Sequence, residues 1–176
     1  MRVFRTAVLT AFLVPLVSSG ADEPVRIGMP SVFTRHPFHA ELERGASEAA
    51  KGLGAQLLVL DAYCNAAEQI ASVKAFVGKG VRAIVISPMP AAGITPALEE
   101  AVKAGVVVVT VDNKVETDKV LFHSGVDGVE VGRIAARFVI EKLGSKGSVL
   151  EIEGVPGWSS GVERKTGFDE SSGNPM

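Results

Sequence analysis

The stretch Val106-Val-Val-Val-Thr-Val-Asp112-Asn113 decides the fold. It is a continuous β-branched run, too short for a helix of ordinary length and without a charge until its end, so it reads as a strand buried on both faces. It then stops at a carboxylate. At the carboxyl end of a central strand in a parallel sheet, a side chain is delivered to the crevice where ligands bind, which makes Asp112 the first candidate functional residue.

Upstream, the same unit repeats. Val25–Met29, Ala55–Leu60 and Arg82–Ile86 read as strands, and each is followed by a polar or proline-rich loop and then a helix. In the first helix Phe38, Leu42, Ala46, Ala49, Ala50 and Leu53 share one face, with Glu41, Glu43, Arg44, Glu48 and Lys51 opposite. In the second, Ala66, Ile70, Val73 and Val77 point inward. In the third, Ile94, Leu98, Ala101 and Val102 do so, with Pro96 tolerated in the first turn. Strand and helix alternating at about thirty residues or less mark right-handed βαβ units, hence an α/β fold with a doubly wound parallel sheet. The loops at Thr34–Phe38, Asp61–Asn65, Ser87–Met89 and Asp112–Asn113 then share one edge of the sheet and should form a single ligand cleft.

Downstream of Asn113 the tone changes. Lys114–Lys119 is polar enough to be a hinge. Val120–Ser124 reads as a strand, Gly125–Gly128 as a turn, and Val129–Leu143 as a helix with Val131, Ile134, Ala135, Phe138 and Val139 inward. Val149–Glu153 reads as a further strand, Gly154–Ser160 as a glycine-rich loop, and Gly161–Phe168 as the start of a helix. The tail from Asp169 loses its apolar period, as an unfinished unit would. The expected organisation is a leader over residues 1–21, a first lobe over 22–113, a hinge over 114–119 and a partial second lobe over 120–176.

The leader has its own signature. Arg2 and Arg5 precede an apolar run from Thr6 to Val17, and small residues at Ser19 and Ala21 suggest cleavage near Ala21. That run is well short of the roughly 20 residues a spanning helix needs, so an exported, soluble product is expected. The 176 residues are 47% hydrophobic, ample for a core, and 18 Lys and Arg against 20 Asp and Glu leave a net charge of -2. No basic cluster suggests nucleic acid as a partner. A single cysteine, Cys64, leaves no internal disulfide.

Several chemistries lack their residues. There is no G-x-S-x-G elbow, nucleotide fingerprint or metal-ligand spacing, so neither catalysis nor a cofactor is expected. Gly125–Gly132 is glycine-rich but lacks the spacing and the Lys-Ser/Thr of a phosphate loop, and Asp127 and Glu130 would repel a phosphate there. His123, inside a strand, reads as structural. An enzyme on the same architecture stays open as an alternative, because fold does not choose function, and so does a truncated fragment without function.

The leader, VRIGMPSVFTRHPFHAELERGASEAAKGLG, VLDAYCNAAEQIASVKAFVGKGVRAIVISP, VVVVTVDN and IEGVPGWSSGVERKTGF together resemble the first part of a periplasmic sugar-binding protein of the ribose type, over about Val25 to Phe168. The resemblance implies the type I periplasmic-binding fold, two lobes closing on one sugar, and delivery to the membrane permease of an ABC importer. It also implies a chemoreceptor as a second partner and a periplasmic location. By position it assigns His36, Phe38 and His39 to the ring-stacking loop, and Asp112 and Asn113 to the end of the fourth strand. Arg164 falls at the second-lobe helix. A ring face suits the C–H patch of a sugar, and a carboxylate or guanidinium can pair its hydroxyls. The sequence departs from the ribose pattern where His36 stands for asparagine, His39 for phenylalanine and Asn113 for arginine, so the expected ligand is a monosaccharide or related polyol. The family continues for roughly another hundred residues, which makes a truncated or fragmentary second lobe the expectation.

Overall fold

The computed structural model describes residues 23–90 and 93–173; the expected leader lies outside them. Five parallel strands, β1 (Arg26–Ser31), β2 (Gln56–Asp61), β3 (Ala83–Ile86), β4 (Val107–Val111) and β5 (Phe122–Ser124), stand in the order β2-β1-β3-β4-β5. The helices are α1 (Pro37–Gly52), α2 (Ala66–Gly78), α3 (Ile94–Lys103), α4 (Gly128–Leu143) and α5 (Ser159–Ser172). The chain winds from β1 outward to β2 and then back past β1 to β3. With right-handed crossovers this puts α1 and α2 on opposite faces, as a doubly wound sheet requires.

The main core lies under α2 and α3. Val73 and Phe76 of α2, Ile94, Leu98 and Ala101 of α3, Ile84 and Ile86 of β3 and Val108 of β4 are all buried together. Gly28 of β1 has a packing reason to be glycine: a Cβ there would stand 2.6 Å from Cγ of the Phe76 ring. The buried face of α2 is Gln69, Ser72, Val73 and Phe76, so the helix is turned slightly from the expected Ala66–Ile70–Val73–Val77 stripe. Gln69 occupies the core because the ends of β1 and β3 need its amide. On α1, Ala50 is buried as expected, but Phe38 and the C-cap residue Leu53 are exposed where an inward face was expected, and His39 is buried instead.

Two further readings are corrected. Phe122–Ser124, expected in the second unit, pairs with Val109–Val111 of β4 as the fifth strand of the first sheet. Val149–Glu153 forms no strand. A strand needs a neighbour to bond, and among the described residues this segment has none; Leu150 and Ile152 are each 88% exposed.

Beyond β5 the structure is a helix pair. Asp127 caps α4 by accepting from the Glu130 amide at 3.0 Å, and Gly144, at φ 60°, closes it in the left-handed conformation. The pair meets backbone to backbone. A Cβ on Gly132 would strike the Arg164 carbonyl, and one on Gly167 the Val129 carbonyl. The buried strip of α4 is therefore Gly128, Gly132 and Ala136. Val131, Ile134, Ala135 and Phe138, expected inward, are exposed, because the close approach of α5 selects the small-residue face. Arg133–Glu170 at 2.8 Å joins the two helices at the surface, where such pairs add little.

Candidate functional site

The order reversal of the sheet falls between β1 and β3, so the loops after those strands diverge and open a crevice at the carboxyl edge. Four loops shape it, each held by a side chain whose type suits the task.

The loop after β1 carries the rings. His36, Phe38 and His39 cluster at the start of α1, with centroids 5.5 Å apart for His36–His39 and 5.3 Å for the edge-on pair Phe38–His39. Pro37 occupies the first turn of α1, where a missing N–H costs nothing. The loop is tied down by Asp61 at the end of β2. Its Oδ2 accepts from the Thr34 hydroxyl at 2.6 Å and the Thr34 amide at 3.1 Å, while Oδ1 accepts from the Tyr63 amide at 2.8 Å. Burial pushes the Asp61 carboxyl up, but these hydrogen bonds, led by the Thr34 hydroxyl, outweigh it and hold the group below the usual carboxylate range.

The loop after β3 is held by Gln69, fully buried on α2. Its amide nitrogen donates to the carbonyls of Pro30 (3.1 Å) and Ser87 (2.9 Å), and its oxygen accepts from the Met89 amide (2.8 Å). One side chain thus satisfies three backbone groups at the mouth of the crevice. Gln69→Leu keeps the volume but strands all three, and is expected to cost about 2–3 kcal/mol, given about 1–3 kcal/mol for an unsatisfied buried group. A lower urea midpoint with unchanged slope is the check.

At the end of β4, Asp112 sits at φ 61°, a left-handed conformation that aspartate tolerates better than most residues. The Asn113 amide reaches back to the Val111 carbonyl at 2.7 Å, closing a tight three-residue turn around Asp112. The carboxylate Oδ2 accepts from Asn113 Nδ2 at 2.8 Å and from Ser87 Oγ at 3.4 Å. Asn113 itself is buried. Its Nδ2 donates also to Ser87 Oγ at 3.3 Å, and its Oδ1 accepts from the Ser160 amide at 3.2 Å and Ser159 Oγ at 3.4 Å. All its hydrogen-bonding groups are thereby engaged within the protein.

His39 is the buried member of the ring cluster in the first turn of α1. Burial first, and His36 second, push its pKa below the ordinary value, against the opposing pull of Asp112 and Asp61. His123 of β5 is shifted the same way, by burial and then Lys114, with its Nδ1 3.1 Å from Thr110 Oγ1. A histidine whose folded pKa is lowered leaves the unfolded chain to take up the proton first as pH falls. Stability is therefore full above the ordinary pKa of about 6.5 and is lost as pH falls through the lower folded value. Urea midpoints at fixed ionic strength are expected to drop between pH 7.5 and 5.5, and His39→Gln should flatten part of that slope.

Arg164 is exposed on α5. Among the described residues its guanidinium takes part in no hydrogen bond or ion pair, and its carbonyl lies against Gly132. The residues that sequence reasoning passed over are Gln69, Ser159 and Ser160, while Ser87 was placed at the cleft as part of its loop. Only Gln69 carried a signal, as a polar residue adjoining the inward stripe of a helix. A groove of about 540 Å³ opens between the loop after β3 and the first turns of α5, lined in part by Pro88, Met89, Lys114, Ser159, Val162 and Glu163. Neither Asp112 nor the three rings line it.

A doubly wound parallel sheet with a ring loop and a strand-end carboxylate at its carboxyl edge, joined to a helix pair through Asn113, defines a class of binding protein, and the chain belongs to the family described as Periplasmic binding protein domain, which matches residues 27–173. Among curated proteins, the ribose import binding protein RbsB of Bacillus subtilis (strain 168) is 36% identical over 151 residues, covering 86% of this chain and 50% of that protein. The galactofuranose-binding protein YtfQ of Escherichia coli (strain K12) is 29% identical over 174 residues, covering 97% of this chain and 55% of that protein. A solved galactofuranose binding protein superposes with a TM-score of 0.79 at 28% identity, covering 86% of this chain and 52% of that one. The binding protein of the arabinose ABC transporter from Shewanella sp. ANA-3 does so at 0.77 and 29% identity, covering 85% and 50%. The fold is the type I periplasmic-binding fold of these neighbours, and the chain spans about half the length of the curated relatives it matches.

Proposed function

We propose that this chain is the ligand-recognising part of an exported solute-binding component of an ABC importer, taking a monosaccharide or polyol between two lobes. The observation that supports it best is the convergence of Asp112, Ser87 and the His36–Phe38–His39 rings on the carboxyl edge of the sheet, beside the helix pair. In this reading Phe38, 47% exposed, offers its ring to the C–H face of the sugar. Asp112 accepts from its hydroxyls. His36 and His39 border the ring face, and Arg164 contributes from the second lobe. Asn113 acts mainly by holding Asp112.

The first lobe then runs to Ser124 and the second begins with α4, with the connection between β5 and α4 as the hinge. Residues 1–21 act as the export leader, cleaved near Ala21, and the product works in the periplasm with the importer's permease and a chemoreceptor as partners. No nucleic acid and no catalysed reaction enter.

Isothermal titration of the purified chain with ribose, arabinose, allose, galactose and xylitol tests the reading. Saturable heat with one of them is expected, with the same ligand raising the melting temperature. Absence of heat and of thermal shift across the panel would overturn it.

A further inference from the structure

We propose that Asn113 caps α5 from across the cleft, so that the side chain beside Asp112 is also the latch joining the sheet to the helix pair. The start of α5 lacks a cap of its own. Its N-cap residue is Trp158, whose side chain has no acceptor oxygen, and no side-chain cap hydrogen bond forms there. By contrast Asn65 caps α2 through the Ala67 and Glu68 amides, and Asp127 caps α4. A helix start leaves amides without intrahelical partners, and the cap oxygen ordinarily accepts from the second or third of them. In α5 the second is Ser160, and its amide donates to Asn113 Oδ1 at 3.2 Å.

The contact is reinforced on both sides. Ser159 Oγ donates to the same oxygen at 3.4 Å and accepts from the Lys114 amide at 2.8 Å, and Lys114 Nζ pairs with Glu163 at 2.6 Å. Asn113 suits this position because one planar amide offers an acceptor to α5 and donors to Asp112 and Ser87. An aspartate would lose the donors. Any opening of the cleft must uncap α5 while Asn113 keeps its contact with Asp112 in the same loop, so one amide links the carboxylate to the position of the helix pair. The capping stands on this geometry alone; its relevance to ligand binding rests on the carrier reading above, and the test uses no ligand.

Amide hydrogen exchange of the purified full chain reads the latch directly. Asn113→Ala is expected to speed exchange at Ser160 by about tenfold, in line with the loss of a helix cap, while amides of β1 and β3 keep their rates. Unchanged protection at Ser160, or equal acceleration throughout the sheet, would overturn the proposal. Ser160→Pro removes the same donor from the other side, at a first-turn position that accepts proline. Trp158, the single tryptophan, reports it: emission should move to longer wavelength in Ser160→Pro, and an emission like that of the parent would overturn the latch. In urea unfolding the double variant should lose less than the sum of the singles, since the Asn113–Ser160 contact is common to both; full additivity would count against it.

Discussion

Phe76→Ala is expected to lower the unfolding free energy by about 3–5 kcal/mol, enough to unfold a marginal domain. The ring is fully buried at the centre of the cluster formed by α2, α3, β3 and β4, and its other face rests on Gly28. Truncation removes the transfer free energy of the ring and leaves a cavity that a sheet on one side and two helices on the other cannot collapse to fill. The converse change tests the same fit. Gly28→Ala drives a methyl into the ring and should cost about 1–3 kcal/mol by overpacking. In Gly28→Ala with Phe76→Leu, the smaller side chain makes room for the methyl, so the double variant should lose less than the sum of the singles. Equilibrium urea unfolding of the four proteins measures this; strict additivity would mean that ring and glycine do not share one site.

The second large effect belongs to binding. On the proposed function, Asp112→Ala should weaken the ligand identified by titration by about 100-fold or more, since hydrogen bonds to a charged acceptor are worth about 1.5–3 kcal/mol each. Asp112→Asn separates charge from conformation. Asparagine tolerates the left-handed backbone at φ 61° about as well as aspartate, so its fold should be retained while affinity falls by about tenfold or more. Titration and melting temperature on the same samples distinguish the two. Unchanged affinity in both variants would remove Asp112 from the site, whatever their stability.

Much of this was legible in the sequence, and the reason differs by element. The strand after Val106 and the βα repeats before it depend on local period and on turn residues, which lie within a few positions of one another; the strand is fully buried on one face only, with Val108 and Thr110 covered and Val107 45% exposed. All four first strands therefore form within one or two residues of where the pattern puts them. The strand-end carboxylate was legible for the same reason. The partners of buried side chains were not. Gln69 satisfies backbone groups 39 and 18 residues away, and Asn113 reaches Ser160 at 47; no periodicity encodes such pairs. The downstream half misled because its apolar residues were assumed to mark its buried faces. Val131, Ile134 and Phe138 of α4 and Val149, Leu150 and Ile152 of the run after it are apolar yet exposed.

By itself, the sequence determined the class of fold, the edge at which the loops gather, and the carboxylate placed there. It could do so because strand and helix periods, together with the handedness of βαβ units, leave few topologies to choose from. Only the tertiary structure decided that Phe122–Ser124 closes the first sheet, that α4 and α5 meet through Gly132 and Gly167, and that Asn113 serves the neighbouring helix as well as Asp112. Each of these turns on which surfaces come close enough to touch. A glycine that lets two backbones meet, or an amide that bridges two loops, has its meaning set by residues distant in the chain, and distance along the chain carries no record of that proximity.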